Sequence, residues 1–440
     1  MWVDSLITNN MLFHTMQKKT IFRITFVAAL LSLATFIFFL IYGDRQFTGP
    51  SLGCFFILLA ISCYGFPSLS RFAYTIWIFA AVTISMSYPQ FFRKVGDFEL
   101  QKMIVPLLQI IMFGMGSQLS VGNFADVIRM PRGVIVGVVC QFTIMPFVGY
   151  AVAKGFGFPP EIAAGIILVG ASPSGLASNV MSFIARANLA LAVTLTAVTT
   201  LLAPVMTPMF MKYLAGQMVA VNFWAMMLSI INMVILPIVA GLIFNAISYG
   251  KTKNRSILIQ AIVYLLIILL KNFINLQIND TEIGKFAWLS MKDIFWFSVL
   301  PVAAAYLFRY AARGRKEWLD KAMALVSMLG IGFIITIITA AGRDSLLTIG
   351  LALIIACLIH NVAGYFLGYW FCRLIRMDEK SCRTIGLEVG MQNGGLASGI
   401  ALEMGKIATV GLAAAVFGPL MNITGSSLAT WWMGKPPKGG

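Results

Sequence analysis

The sequence predicts an all-α polytopic membrane protein. Of its 440 residues 59% are hydrophobic and only 11% are charged, and the apolar residues gather into long runs between basic loops. A soluble domain carries about 25% charged residues. This chain cannot cover a water-facing surface, so composition demands the lipid bilayer as its partner.

The candidate spans, in order, are 21–42, 51–66, 72–90, 103–119, 133–153, 160–185, 189–211, 222–248, 256–276, 286–308, 322–341, 346–371, 384–403 and 407–433. Each approaches the roughly 20 apolar residues that cross the hydrocarbon. No small-residue cleavage site follows the run that starts at Ile21, so it reads as a retained span. Span 51–66 is short, 256–276 carries Lys271, and 286–308 carries Lys292 and Asp293.

The net charge is +16, and 21 of the 32 basic residues, Arg132, Arg186, Arg376 and Arg383 among them, fall on the side of the two tails. That bias predicts both termini in the cytoplasm. No basic run of nucleic-acid type occurs, so no nucleic-acid partner is expected. The six cysteines form no CxxC pair and read as small core residues. Two histidines, His14 and His360, do not make a zinc site. Without a nucleophile–base set, an enzyme is not expected. Asn279-Asp280-Thr281 has the form of a glycosylation sequon.

The tetrapeptide Gly175-Leu176-Ala177-Ser178 recurs as Gly395-Leu396-Ala397-Ser398, an offset of 220 residues that also relates Gln141 to Asn361. The two copies enter the membrane from opposite sides, which predicts an inverted-topology repeat. Both copies carry helix-breaking sequence: Pro173 between Gly170 and Gly175, and Gly390, Gly394 and Gly395 beside Glu388, Gln392 and Asn393. Non-helical backbone inside a membrane is tolerated only where it lines a cavity or is buried in protein. Paired breaks therefore point to a midplane site.

Hard cations take oxygen ligands, and Gln141, Ser178, Asn179, Thr196, Glu388 and Gln392 all offer oxygen near the breaks. A buried carboxylate at Glu388 calls for a cation or a proton. Each polar residue alone also fits a plain interhelical hydrogen bond, and Pro173 a simple kink. Glu388, five residues after Arg383, also fits an interfacial position.

The segments Met112–Gly116, Gln141-Phe142, Pro173–Pro204, Leu358–Asn361, Glu388–Ala397 and Asn422–Ser426 resemble the bile acid:sodium symporter family. The resemblance implies two inverted five-helix repeats, forming core and panel domains with two crossed broken helices, plus about four additional helices. It divides the chain into an N-terminal extension with two helices (1–71), a first repeat (72–213), a second repeat (222–248 and 322–434) and an inserted helical hairpin (249–321). The panel is 72–90, 103–119, 222–248 and 322–341, and the remaining repeat spans form the core.

By motif match, the resemblance implies two Na+ sites. One uses Ser178, Asn179, Thr196 and Glu388; the other uses Gln141, Glu388, Gln392 and the carbonyls of Val389 and Met391. Substrate, a small organic anion with a carboxylate, is implied near Asn393 and Asn422. The chain departs from the family pattern at Ala192, where a hydroxyl is common, at Met421, where His is frequent, and at Leu176, where some bacterial members have Thr. The expected function is sodium-coupled symport by alternating access in a bacterial inner membrane. A proton-coupled transporter and, in another class, a channel or membrane sensor are the alternatives. The sequence sets no oligomeric state.

Overall fold

The computed structural model describes residues 2–43, 45–66, 69–248, 254–279, 283–311, 316–435 and 437. The chain is almost wholly helical, as expected where lipid leaves the backbone only itself to bond with. Ten of the predicted spans are helices long and apolar enough to cross a membrane, among the described residues. Four differ. Spans 51–66 and 72–90 fall in shorter apolar helices, Phe47–Cys63 and Ala73–Ser87. Spans 160–185 and 384–403 are each divided in two by their helix-breaking sequence. The sequon residues Asp280 and Thr281 lie outside the described residues.

Two compact units form, the first from Met1–Leu100 with Ile335–Arg343 and the second from Gln101–Ile334 with Asp344–Gly440. In the first, α1 (Trp2–Tyr42), α2 (Arg45–Cys63) and α3 (Ala73–Ser87) pack in sequence. A short α4 (Gln90–Arg93) follows, then an unpredicted hairpin of β1 (Lys94–Val95) and β2 (Phe98–Glu99). The Arg93 guanidinium donates to Ala340 O at 3.0 and 3.1 Å, and Arg343 Nε to Met86 O at 2.7 Å. Both arginines bond carbonyls near the ends of helices, where intrahelical donors run out. Cys54, expected in the core, is exposed; the other five cysteines are buried.

The second unit holds α5 (Ile104–Gln118), α6 (Val121–Arg129), α7 (Pro131–Gly155), α8 (Pro160–Ala171), α9 (Ala177–Ile184), α10 (Leu189–Phe210), α11 (Phe223–Ile230) and α12 (Leu236–Ser248). A helical hairpin follows as α13 (Asn254–Asn279), α14 (Ile283–Ile294) and α15 (Leu300–Ala311). Then come α16 (Lys316–Ala341), α17 (Arg343–Leu374), α18 (Glu379–Gly390), α19 (Gly394–Glu403) and α20 (Val410–Met433). The ends of α16 and α17 that flank Gly342 belong to the first unit.

Helices α5 and α12 approach closely because Gly116 and Gly241 have no side chain. A Cβ on Gly116 would run into Ile238 O, and one on Gly241 into Phe113 O. Asn245 Nδ2 seals the pair by donating to Ser117 O at 2.6 Å. The hairpin docks on α12 through Tyr264, Ile268 and Ala305 against Leu236, Ile243 and Phe244. Tyr264 donates its hydroxyl to Leu236 O at 2.8 Å, which gives the buried polar tip a partner.

The charges that weaken spans 256–276 and 286–308 in sequence are compensated in space. Lys271 Nζ lies 2.5 Å from Asp293 Oδ2, and Asn272 Nδ2 donates to the same oxygen at 3.1 Å. An ion pair removed from water persists only with such partners.

Candidate functional site

The helix-breaking sequences act as their residues dictate. Helix α8 ends at Ala171, Ser172 turns extended, and α9 starts at Ala177. Helix α18 ends at Gly390, Met391 turns extended, and α19 starts at Gly394. The two extended stretches cross and pair antiparallel at Ser174 and Gln392. Gly175 N donates to Met391 O and Asn393 N to Pro173 O, both at 2.8 Å. Each break thus supplies the partners that the other lacks, where unpaired backbone would cost several kcal/mol per group. Gly175 is required there: a Cβ would lie 2.7 Å from Gln392 O.

Gln141 and Asn361, the pair related by the 220-residue offset, do the same work on opposite sides of the crossing. Gln141 Nε2 on α7 donates to Ser172 O at 2.9 Å, and Asn361 Nδ2 on α17 donates to Gly390 O at 2.8 Å. Thr424 on α20 then donates to Asn361 Oδ1 at 2.5 Å.

Glu388, one turn before the second break, is only 2% exposed. Its Oε1 accepts from Ser178 Oγ at 2.5 Å, and its Oε2 from Ser174 Oγ at 2.6 Å and Thr196 Oγ1 at 2.9 Å. Asn179 Oδ1 lies 3.3 Å from Thr196 Oγ1. No lysine, arginine or histidine pairs with Glu388 among the described residues. At 2% exposure the side chain does not snorkel out to solvent.

Beside this oxygen cluster, Gln141 Nε2 also reaches Gln392 Oε1 at 2.8 Å, and Gln392 Nε2 donates to Val389 O at 2.5 Å. Gln141 Oε1 is buried with no hydrogen-bond partner. A buried acceptor left open in this way is uncommon and asks for a ligand. Asn393 is 8% exposed and caps α19, its Oδ1 accepting from Leu396 N at 3.0 Å. Asn422 is half-buried on α20. All the sequence-predicted sodium residues therefore meet around the crossing of the breaks. Asn393 belongs to the crossing itself, whereas no hydrogen bond among the described residues ties the Asn422 side chain to it.

The profile of the Sodium Bile acid symporter family matches residues 105–285. The uncharacterized sodium-dependent transporter YocS of Bacillus subtilis (strain 168) is 33% identical over 374 residues, covering 84% of this chain and 94% of that protein. The chain belongs to the sodium bile acid symporter family. Among other relatives of this family member, the probable sodium/metabolite cotransporter BASS1, chloroplastic, of Arabidopsis thaliana is 29% identical over 83% of this chain and 74% of its own length. The ileal sodium/bile acid cotransporter of Oryctolagus cuniculus is 26% identical over 70% of this chain and 72% of its own length.

Two residues of this family member escape sequence reasoning. Ser174 bonds Glu388 directly, and its only sequence signal is the place after Pro173, four residues before Ser178. Arg383 is read in sequence as a loop charge, yet it is 4% exposed. It donates to Ala185 O and Trp432 O, both at 3.1 Å, and to Lys435 O at 2.6 Å, while Nε holds Glu379 Oε1 at 2.8 Å. A guanidinium with five donors can close the C-terminal ends of α9 and α20 together.

Proposed function

We propose that this family member moves a small organic anion across the membrane together with sodium, by alternating access. The observation that supports it most is the buried carboxylate of Glu388, at the crossing of two broken helices, surrounded by oxygen atoms and lacking a protein cation among the described residues. A charge at that depth needs a compensating ion or a proton, and sodium is the hard cation that an all-oxygen set suits.

One sodium ion would be held by Ser178, Asn179, Thr196 and Glu388, with Ser174 adding the hydroxyl that Ala192 does not offer. A second would use Gln141, Glu388, Gln392 and the carbonyls of Val389 and Met391. The open Gln141 Oε1 supports this second set. Val389 O accepts one hydrogen bond, from Gln392 Nε2, and keeps a second lone pair for a cation, while Met391 O accepts from Gly175 N at 2.8 Å and at longer range from Ser174 Oγ at 3.5 Å, a contact that a cation would replace. Bound cations would tie α9, α10 and α18 together and order the cleft. The anion, a carboxylate, would then sit near Asn393 and Asn422, where the N-terminus of α19 favours negative charge.

The two repeats, 72–213 and 222–248 with 322–434, would each give spans to a core and a panel, and the core would rock against the panel to expose the site to the other side. The extension 1–71 and the hairpin 249–321 are additions to that machine. The membrane would be a bacterial inner membrane, with both termini cytoplasmic.

The test is uptake of a panel of organic acids into proteoliposomes, in sodium and in choline buffers at fixed pH. Uptake is expected in sodium alone, and Glu388→Ala and Gln392→Ala should both abolish its sodium dependence. Unchanged sodium dependence in both variants would remove the proposed sites, and uptake driven by a pH gradient without sodium would transfer the coupling to a proton on Glu388.

A further inference from the structure

A cavity of about 780 Å³ lies away from the crossing, between α5, α12 and the inserted hairpin. One wall is a single stripe of the hairpin's second arm: Lys292, Asp293, Trp296, Phe297, Leu300 and Ala304. From position 292 to 304 a helix rises about 18 Å. One leaflet of hydrocarbon, half of the roughly 30 Å core, is about 15 Å deep. The groove therefore has the length of one acyl chain.

Both long walls depart from regular α-helix beside the groove. A π-helical turn at Ile231–Ile235 precedes Pro237, another at Phe295–Val299 precedes Pro301, and both prolines line the cavity. Such turns recur at functional sites. Pro237 has no N–H to give, and Gln109 Nε2 supplies one to Asn232 O at 3.3 Å.

The charge distribution is one-sided. Asp293 is committed to Lys271 and Asn272. Its neighbour Lys292 makes no ion pair among the described residues, so the groove has one cationic end, and beyond it the lining is mostly apolar, with Gln109 and Asn232 bonded to each other. Trp296, Leu300 and Ile110 at its rim are 54%, 44% and 45% exposed. In a chain that spans a membrane, these faces meet lipid, so the cavity opens sideways into the bilayer.

We infer that this cavity is a lateral site for an anionic phospholipid, with the head group on Lys292 and one acyl chain lying along the groove to Ala304. The charge complementarity at Lys292 selects an acidic lipid over a zwitterionic one, and the groove length selects an acyl chain over a compact solute.

The test titrates the delipidated full-length protein with phosphatidylglycerol or phosphatidylcholine of identical chains and reads bound lipid by native mass spectrometry. Phosphatidylglycerol is expected to bind about fivefold more tightly than phosphatidylcholine, the worth of one lysine near an acidic head group. Lys292→Gln should erase that preference, and Ala304→Trp, which fills the groove, should remove the adduct of both lipids. Size-exclusion profiles matching the unsubstituted protein show that each variant is folded. An undiminished preference in Lys292→Gln, or an undiminished adduct in folded Ala304→Trp, overturns the site. Binding of oleate with no phosphatidylglycerol adduct overturns the phospholipid as its occupant.

Discussion

Ser174 Oγ lies 2.6 Å from Glu388 Oε2, although 214 residues separate them in the chain. The contact exists only because the two breaks pair at Ser174 and Gln392, which draws the hydroxyl against the one buried carboxylate beside the second break. The crossing and the proposed sodium site are thus one construction. A hydrogen bond to a charged group is worth about 1.5–3 kcal/mol. Ser174→Ala is expected to raise the sodium concentration for half-maximal uptake by about tenfold or more, as measured in proteoliposomes.

Gly175→Ala should separate the breaks, because its Cβ would lie 2.7 Å from Gln392 O. Loss of sodium-dependent uptake with a lowered melting temperature is expected. Gly155→Ala, whose Cβ meets nothing within 4 Å, should leave both within about 0.5 kcal/mol of the unsubstituted protein. Equal behaviour of the two variants would mean that the close approach at Gly175 is not needed.

The breaks themselves are legible in the sequence, because Pro173 and the run from Gly390 to Gly395 violate what an apolar helix requires. Their chemistry is legible only in part. Glu388, Gln141 and Gln392 stand out as polar groups in apolar runs, whereas Ser174 looks like any serine after a proline until the second break is laid across it. Arg383 is misread for a related reason: its partners are mostly main-chain carbonyls, which every residue carries and no sequence pattern marks. The hairpin's arms are legible as two apolar spans, but the pairing of Lys271 with Asp293 depends on how they align, and the cavity on how α12 and the second arm face each other.

Arg383→Gln should strip donors from Ala185 O, Trp432 O and Lys435 O and lower thermal stability. The expected loss is about 3 kcal/mol, typical of breaking a buried charged network. Arg383→Lys should recover little of it, since an ammonium lacks the planar fork. The melting temperature in detergent reads both. Full recovery by lysine would mean that charge alone matters at this position.

The Lys271–Asp293 pair should behave as a buried pair does. Lys271→Met alone is expected to cost about 3 kcal/mol by stranding Asp293, while Lys271→Met with Asp293→Leu should be close to neutral. A double-mutant cycle on thermal stability measures this, and strictly additive losses would deny the coupling.

Asp378 outside the membrane gives a pH signature. Burial raises its carboxyl, but hydrogen bonds from the Ser381 hydroxyl and N–H outweigh this and hold it below its ordinary value of 3.8. A carboxyl held low in the folded state stabilises above the unfolded value, and that contribution disappears as pH falls through the folded value. The unsubstituted protein should therefore lose its stability advantage over Asp378→Ala as melting curves are taken at successively lower pH below about 4. An advantage that persists unchanged at the acid end would contradict this cap.

Binding of radioactive sodium to the purified protein at fixed neutral pH, compared between the unsubstituted chain and Glu388→Gln, tests the central claim most directly. Saturable binding in the first and none in the second is the predicted result, because an amide cannot balance the cation's charge. Equal saturable binding in both would contradict the assignment of sodium to Glu388.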